Sequence, residues 1–246
     1  MQKQMDIQKV AAAVAARAKK RGAKQAEAFV EISRNASVRV RDGAIEDVTQ
    51  ATSKGLGLRV IVGGRLGFAH TSDLRKETLD DLVDRAIALA KMSASDSNNS
   101  LPKGKALKGA SAVSAEEPGS ARRRAEAKPE HLIGLYDEAI ESIDPDWKVR
   151  AALELERAAK GHDKRITAME GVGAGENVHE VAIASTEGAR GHYHGTYAYL
   201  YCSPVAKEGE SLQTSYWVDY RRSLAKLAPP EQVGLEAARR AVRMLG

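Results

Sequence analysis

The chain is poor in aromatic residues, which make up 4% of its 246 positions, and it has a single cysteine, Cys202. One cysteine excludes an internal disulfide framework, and a reducing cytoplasm is the default compartment for such a chain. No apolar run approaches the ~20 residues that span a bilayer, so no membrane partner is expected. Because aromatics are scarce, Ala, Val, Ile and Leu must supply the packing; a hydrophobic content of 43% suffices for one good-sized core or two modest ones.

The formal net charge of +5 is concentrated in one stretch of the chain. Between Asn98 and Lys128, seven Lys and Arg residues outnumber three acids, and Pro, Ser, Gly and Ala are frequent. Such a composition predicts a flexible basic linker over residues 96–129, between domains at residues 1–95 and 130–246. An arm that binds RNA, DNA or another anionic partner is the alternative for this stretch, but nucleic acid is not the expected partner because the predicted folded parts are close to neutral.

Residues 38–73 predict two consecutive β-hairpins. Asp42 and Gly43 form the first two-residue loop, and Gly63 and Gly64 form the second. Each loop fixes a register across its two strands: Val40 with Ile45 and Arg39 with Glu46 in the first hairpin, and Ile61 with Leu66 and Arg59 with Phe68 in the second.

Apolar residues at helical spacing predict a helix on each side of these hairpins. The first runs from about Ile7 to Ala18, with Asp6 as its N-cap, and the second follows Asp73 and extends from Leu79 to Ala90. Four or five strands lie between them. The first domain is therefore predicted to be an α+β layer in which helices cover one face of a mainly antiparallel sheet.

The second domain is also predicted to be α+β, with mainly antiparallel strands. Residues 131–143 and 147–159 have helical patterns, and a final helix begins at Pro230. Residues 166–220 predict an antiparallel meander with turns near Gly175 and Glu176, near Glu187 and Gly188, and at residues 208–210. The glycines at 171, 173 and 175 indicate a flexible turn and not a phosphate loop, because no helix follows them.

Several of these segments resemble one known family. The RDG at 41–43, the Gly- and Val-rich strand after it and GGRLGFAHTSDL at 63–74 are similar to the N-terminal region of the TldD/PmbA (TldD/TldE) family. AEAFVEI at 26–32 resembles the family's first strand, and the segment 185–222 resembles its middle domain. The chain looks closer to the PmbA (TldE) branch.

The resemblance implies a metallopeptidase system that acts on small or unfolded peptides, including antibiotic precursors and antitoxins, and in which a metal-bearing subunit pairs with a metal-free relative. In that family an HExxxH helix of a C-terminal domain binds zinc. We therefore expect zinc only in that catalytic domain, which this sequence does not reach, or in a partner subunit, and no cofactor in this chain.

Two histidine motifs are candidates for a metal site. His179 and Glu180 begin an HE pair, but positions 183 and 184 are Ile and Ala, so neither HExxH nor HExxxH is completed. His192 and His194 lie two apart in a predicted strand and share a face. We expect a surface or peptide-contacting pair there; a metal site is the alternative, for which the sequence shows no third ligand.

The resemblance thus implies a non-catalytic N-terminal part of a TldD/PmbA-type metalloprotease system, which we expect to admit unfolded or small peptides and to pair as a heterodimer with a metal-bearing TldD-like subunit or domain. No residue is assigned to catalysis or to metal binding. The candidate peptide-binding residues are Arg59, Arg65, His70, His192 and His194. The alternative is a free-standing peptide- or protein-binding adaptor without proteolytic activity, and the third candidate is a nucleic-acid-binding protein that uses the basic linker.

Overall fold

The computed structural model describes residues 5–104 and 134–245. The helices are α1 (Ile7–Lys20), α2 (Lys76–Met92), α3 (Glu138–Glu141), α4 (Pro145–His162) and α5 (Pro230–Arg243). The strands are β1 (Gln25–Arg41), β2 (Ala44–Val62), β3 (Arg65–Thr71), β4 (Ile166–Ser185), β5 (Arg190–Glu208), β6 (Ser211–Thr214) and β7 (Trp217–Arg221). Hydrogen bonds join the strands in the order β3-β2-β1-β4-β5-β6, and β7 pairs with β5. This arrangement confirms the α+β class. None of the described helices is long and apolar enough to cross a membrane.

The chain packs as two compact units, each with its own hydrophobic core. Among the described residues, unit 1 consists of residues 5–33, 53–104 and 179–194, and unit 2 of residues 34–52, 134–178 and 195–245. These units differ from the contiguous domains drawn from the sequence, because the long strands β1, β2, β4 and β5 each contribute residues to both units.

The predicted linker at 96–129 falls mostly outside the described residues. Its first part, 96–104, belongs to the packed structure of unit 1. Leu101 is buried, and its N–H donates to Oε1 of Gln25 at 2.8 Å. Asn99 donates through Nδ2 to the carbonyl of Gly64 at 2.9 Å. These contacts attach residues 99–101 to the start of β1 and to the β2–β3 turn.

In unit 1, helices α1 and α2 cover one face of the strands. The apolar stripes predicted for both helices are buried, together with the alternating Leu56, Leu58 and Val60 of β2. Helix α1 begins as expected, since Oδ1 of Asp6 accepts a hydrogen bond from the backbone N–H of Lys9 at 3.0 Å. Helix α2 lies so close to β3 that a Cβ atom on Gly67 would come within 2.1 Å of the Ala86 carbonyl oxygen. Glycine at position 67 is what permits this approach.

Both predicted hairpin loops are present. Asp42 and Gly43 have φ angles of 53° and 76°, and Gly63 and Gly64 have 57° and 74°, which is the pattern of two-residue turns with positive φ. The pairing of β2 with β3 includes Ile61 with Leu66 and Arg59 with Phe68, as predicted. The expectation of four or five strands between the two helices is wrong: the described chain has β1, β2 and β3 there, because residues 33–36 and 48–55 carry no turn and stay extended within the long strands β1 and β2.

In unit 2, helices α4 and α5 pack against each other and enclose a second core. A Cβ atom on Gly234 of α5 would lie 2.5 Å from the carbonyl oxygen of Leu155 on α4, so the two helix backbones meet at this glycine. The helix expected over 131–143 is shorter in the described residues: only α3 is helical. Asp137 is its N-cap, and Oδ1 of Asp137 accepts a hydrogen bond from the N–H of Ala139 at 3.0 Å.

The turn expected at Gly175 and Glu176 is wrong, since β4 runs without interruption from Ile166 to Ser185. A Cβ atom on Gly175 would lie 2.6 Å from the Tyr199 hydroxyl, and one on Gly173 would lie 2.8 Å from the Val38 carbonyl oxygen. These glycines make room for a tyrosine ring and a neighbouring backbone within a strand. The other two turns of the meander are confirmed, at Glu187 and Gly188 and at Gly209.

Candidate functional site

Both phenylalanines of the chain lie on one exposed sheet face of unit 1. Phe29 on β1 is 43% exposed and Phe68 on β3 is 55% exposed. Side chains alternate along a strand, and Ala28 and Val30 on either side of Phe29 are buried in the core under the helices. Phe29 therefore points to the opposite side. We call the surface formed by Phe29, Arg59, Phe68 and His70 the open face.

A groove of about 450 Å³ crosses the open face. Its lining residues are Phe29, Glu31, Ser53, Lys54, Gly55, Leu56, Gly57, Phe68, His70, Thr71 and Ser72. The rings of Phe68 and His70 stack with centroids 6.1 Å apart. A Cβ atom on Gly57 would lie 3.2 Å from Cε2 of Phe68, so the absence of a side chain at position 57 leaves room for this ring. The groove thus has aromatic walls and carries charges of both signs.

Strand β3 borders this groove and is the outermost strand at its end of the sheet among the described residues. Within the described residues, β3 forms one further bridge, an isolated one between Arg65 and Ser95 at the turn end of the strand. Helix α2 supports the buried face of β3, as the contact at Gly67 shows. A rigid strand with an outer edge can add another extended chain through backbone hydrogen bonds.

The structure separates the candidate peptide-binding residues into three places. Arg59 and His70 belong to the open face, where Nη2 of Arg59 lies 2.6 Å from Oε1 of Glu27. Arg65 instead donates through Nη1 to the Lys91 carbonyl at 2.8 Å, near the C-terminal end of α2, where a cation is favoured. His192 and His194 form a third group with Glu180.

Glu180 connects the two histidines. Its Oε1 lies 2.8 Å from Nε2 of His192 and 3.4 Å from Nε2 of His194. Ala182 and Ala184, which follow Glu180 at alternate positions of β4, are buried in the unit 1 core. Strand alternation therefore places Glu180 on the helix-covered side of the sheet, away from the open face. Glu180 was not predicted as a partner of the histidines, although the predicted turn at Glu187 and Gly188 brings residue 180 near residues 192–194.

Unit 2 contains buried ionisable groups. Burial raises the pKa of the Glu176 carboxyl even though Nζ of the buried Lys148 lies 2.9 Å from its Oε1. Burial also raises the pKa of the Cys202 thiol, to about 12, and the Glu156 carboxylate adds to the rise. A thiol that stays protonated is a poor nucleophile, so Cys202 is a packing residue.

Fold and sequence together define the class of this chain as the first two domains of a metallopeptidase-like protein. Residues 26–90 match a family model described as PmbA/TldA metallopeptidase domain 1, and residues 138–245 match the PmbA/TldA metallopeptidase central domain. The chain belongs to the PmbA/TldD family, which confirms the resemblance drawn from the sequence.

Relatives in other organisms agree with this assignment. The chain is 28% identical over 228 residues to a metalloprotease PmbA homolog of Haemophilus influenzae. The aligned residues cover 93% of this chain and 46% of that protein. It is 26% identical over 220 residues to metalloprotease PmbA of Escherichia coli O157:H7, covering 89% and 44%. The chain thus spans about half the length of these relatives.

Two solved structures have the same fold. A Bacteroides thetaiotaomicron protein, named as a proposed modulator of DNA gyrase, superposes with a TM-score of 0.82 at 24% identity, over 98% of this chain and 51% of its own. TldE from Thermococcus kodakarensis superposes with a TM-score of 0.71 at 21% identity, over 94% of this chain and 46% of its own.

Proposed function

We propose that this chain is the peptide-admitting, non-catalytic part of a PmbA/TldD-type metallopeptidase system. One observation carries the proposal: the only two phenylalanines of the sequence are exposed on the open face, next to the outer strand β3. In a chain so poor in aromatics, a core would be expected to use both rings, so their exposure indicates a binding surface.

In this proposal an unfolded peptide binds as an added strand along β3. Backbone hydrogen bonds supply affinity that depends little on peptide sequence, which suits a system that accepts varied unfolded segments. Apolar side chains of the peptide then pack against Phe68 and Phe29; each buried side chain contributes up to about 1.5–3 kcal/mol. Glu31, Lys54 and Arg59 offer charges of both signs to the remaining side chains.

The hydrolytic step is assigned to a metal-bearing TldD-like subunit or domain, which carries the zinc and pairs with this chain. The printed sequence has no HExxxH motif, and Cys202 is not activated. The proposal sets this work in the cytoplasm, consistent with a single, buried cysteine.

The proposal is tested by the binding of a fluorescently labelled, unfolded peptide of mixed polar and apolar sequence to the purified chain, measured by fluorescence anisotropy. We expect Phe29→Ala with Phe68→Ala to weaken binding about tenfold or more, because two aromatic contacts are lost. Tyr216→Ala is the matched control: Tyr216 is 64% exposed but lies in unit 2, and its loss should leave binding unchanged. Equal binding by the double variant and the wild type would refute the proposal.

A further inference from the structure

Glu180, His192 and His194 bring three metal-binding side chains together within unit 1. One donor atom from each residue lies within 4.8 Å of the other two. A tetrahedral ion at Zn–N and Zn–O distances of about 2.0–2.1 Å holds its donors about 3.3 Å apart. The separation of 3.4 Å between Nε2 of His194 and Oε1 of Glu180 matches that value, and the 2.8 Å separation at His192 needs only a small side-chain movement.

The hairpin that carries these residues is fixed at its turn. The N–H of Ser185 donates to the Ala189 carbonyl at 2.8 Å, and the N–H of Thr186 donates to the Ala26 carbonyl on β1, also at 2.8 Å. The N–H of Gly104 donates to the Glu187 carbonyl at 2.9 Å. A donor set on anchored strands costs less to order when an ion binds than one on a loose loop.

From this geometry we propose that Glu180, His192 and His194 bind a divalent transition-metal ion of the Zn²⁺ class. Two imidazoles and one carboxylate suit Zn²⁺, Ni²⁺, Co²⁺ or Cu²⁺, whereas Mg²⁺ and Ca²⁺ prefer sites built from oxygen alone. The His194 side chain is 46% exposed. The ion would therefore keep a coordination position open to water or to a donor atom of a bound molecule.

This inference is independent of the proposed peptide-binding function, because the cluster and the open face lie on opposite sides of the sheet. It differs from the sequence-based expectation of no metal in this chain, which was made without the third donor, Glu180. It also differs from an HExxxH site, since all three donors come from two strands and none from a helix.

Calorimetric titration of the tag-free, chelator-treated chain with ZnCl₂ tests the site. The expected result is one Zn²⁺ per chain. Each of His192→Ala, His194→Ala and Glu180→Gln should weaken binding about tenfold or more, since each removes or weakens a direct ligand. His179→Ala is the matched control, because His179 neighbours Glu180 on β4 but contacts the Tyr193 ring on the other side of the strand. It should change affinity less than about twofold.

A second measurement needs no variant, so it tests metal binding at this site even if a substitution unfolds the chain. In the NMR spectrum of the wild type, Zn²⁺ should shift the imidazole signals of His192 and His194 and leave those of His70 and His179 in place. The proposal is overturned if the wild type takes up no Zn²⁺, if the His192→Ala, His194→Ala double variant binds it equally well while folded, or if other histidines respond instead.

Discussion

Glu156 on α4 and Gly43 in the β1–β2 turn are joined by a hydrogen bond of 2.8 Å from the glycine N–H to Oε2 of the carboxylate. The N–H of Asp42 donates to the other oxygen at 2.7 Å. Nζ of Lys160, one turn along the helix, lies 2.9 Å from Oε1 of Glu156 and 2.8 Å from Oδ1 of Asp42. A buried carboxylate on the helix therefore accepts hydrogen bonds from the backbone N–H groups at the tip of the hairpin, and these bonds stabilise the turn and α4 together.

Replacing Glu156 should destabilise the fold. Glu156→Gln removes the charge that faces two backbone donors and Lys160, and we expect a loss of about 2 kcal/mol in the free energy of unfolding. Urea denaturation of the variant and the wild type gives this value. Glu154→Gln on the same helix is the control and should change stability by less than about 0.5 kcal/mol. A Glu156 variant as stable as this control would contradict the role assigned to the carboxylate.

The same carboxylate should make stability depend on pH. Burial raises the pKa of Glu156, but the hydrogen bonds from Lys160, Gly43 and Asp42 outweigh it and leave the pKa below its ordinary value of 4.5. The pKa of Glu156 is lower in the folded chain than in the unfolded chain. The stabilising contribution of its carboxylate is therefore fully present above about pH 4.5 and is lost as the pH falls through the folded pKa. The stability difference between wild type and Glu156→Gln should therefore shrink on acidification, as thermal melts over a pH series would show.

The contact of α2 with β3 predicts that alanine destabilises the fold strongly at position 67 and only slightly at position 55. Gly67→Ala places a Cβ 2.1 Å from the Ala86 carbonyl oxygen, so helix and strand must separate, at a cost of about 3 kcal/mol. At Gly55 the nearest atom to an added Cβ is the Thr71 carbonyl oxygen at 3.8 Å, an ordinary contact. Gly55→Ala should change stability by less than about 1 kcal/mol in the same denaturation experiment. Equal effects at the two sites would argue against this packing.

Cys202 should be unreactive in the folded chain. Its thiol is fully buried, and its pKa is raised to about 12, so almost no thiolate forms near neutral pH. A colorimetric thiol reagent at pH 8 should label the native chain very slowly and the urea-unfolded chain at once. Rapid labelling of the native chain would show that unit 2 opens around β5.

Association with a metal-bearing partner is expected to involve the C-terminal end of α5. Met244 is 50% exposed, whereas Leu245 packs against the unit 2 core, so only Met244 can be changed without disturbing that core. Met244→Asp should weaken capture of a TldD-type subunit in a pull-down, while circular dichroism stays unchanged. Arg239→Asp serves as the control for a change at an exposed, already charged position of the same helix. Undiminished capture by Met244→Asp would exclude this surface.

The turns and the helix cap of the hairpin region and of α1 were predictable because short-range chemistry decides them. The Asp42-Gly43 and Gly63-Gly64 loops specify their own turns, and the cap at Asp6 depends on residues three apart. Strand length was not predictable in the same way. Gly175 is a residue type typical of turns. Its place within a strand is explained by the Tyr199 ring of a neighbouring strand, which packs against it and leaves no room for a side chain.

The candidate sites depend on contacts between residues distant in sequence. The approach of Glu180 to His192 and His194 follows from the register of β4 and β5. The turn at Glu187 and Gly188 was predicted, but the residue types did not give the exact register across it. The open face brings Phe29 together with Phe68 through strand pairing in the order β3-β2-β1. His70 and Arg59 of this face were predicted from the sequence, whereas the exposure of both phenylalanines was not.

The central claim is that an unfolded peptide binds as an added strand along the outer edge of β3. It is tested most directly by the affinities of two N-methylated versions of one bound peptide, in which alternate backbone amides are methylated in opposite phase. Strand addition predicts that one version binds about tenfold or more weakly, because its methyl groups replace the N–H donors that face β3, while the other keeps its affinity within about twofold. Equal affinities for the two versions would contradict the account.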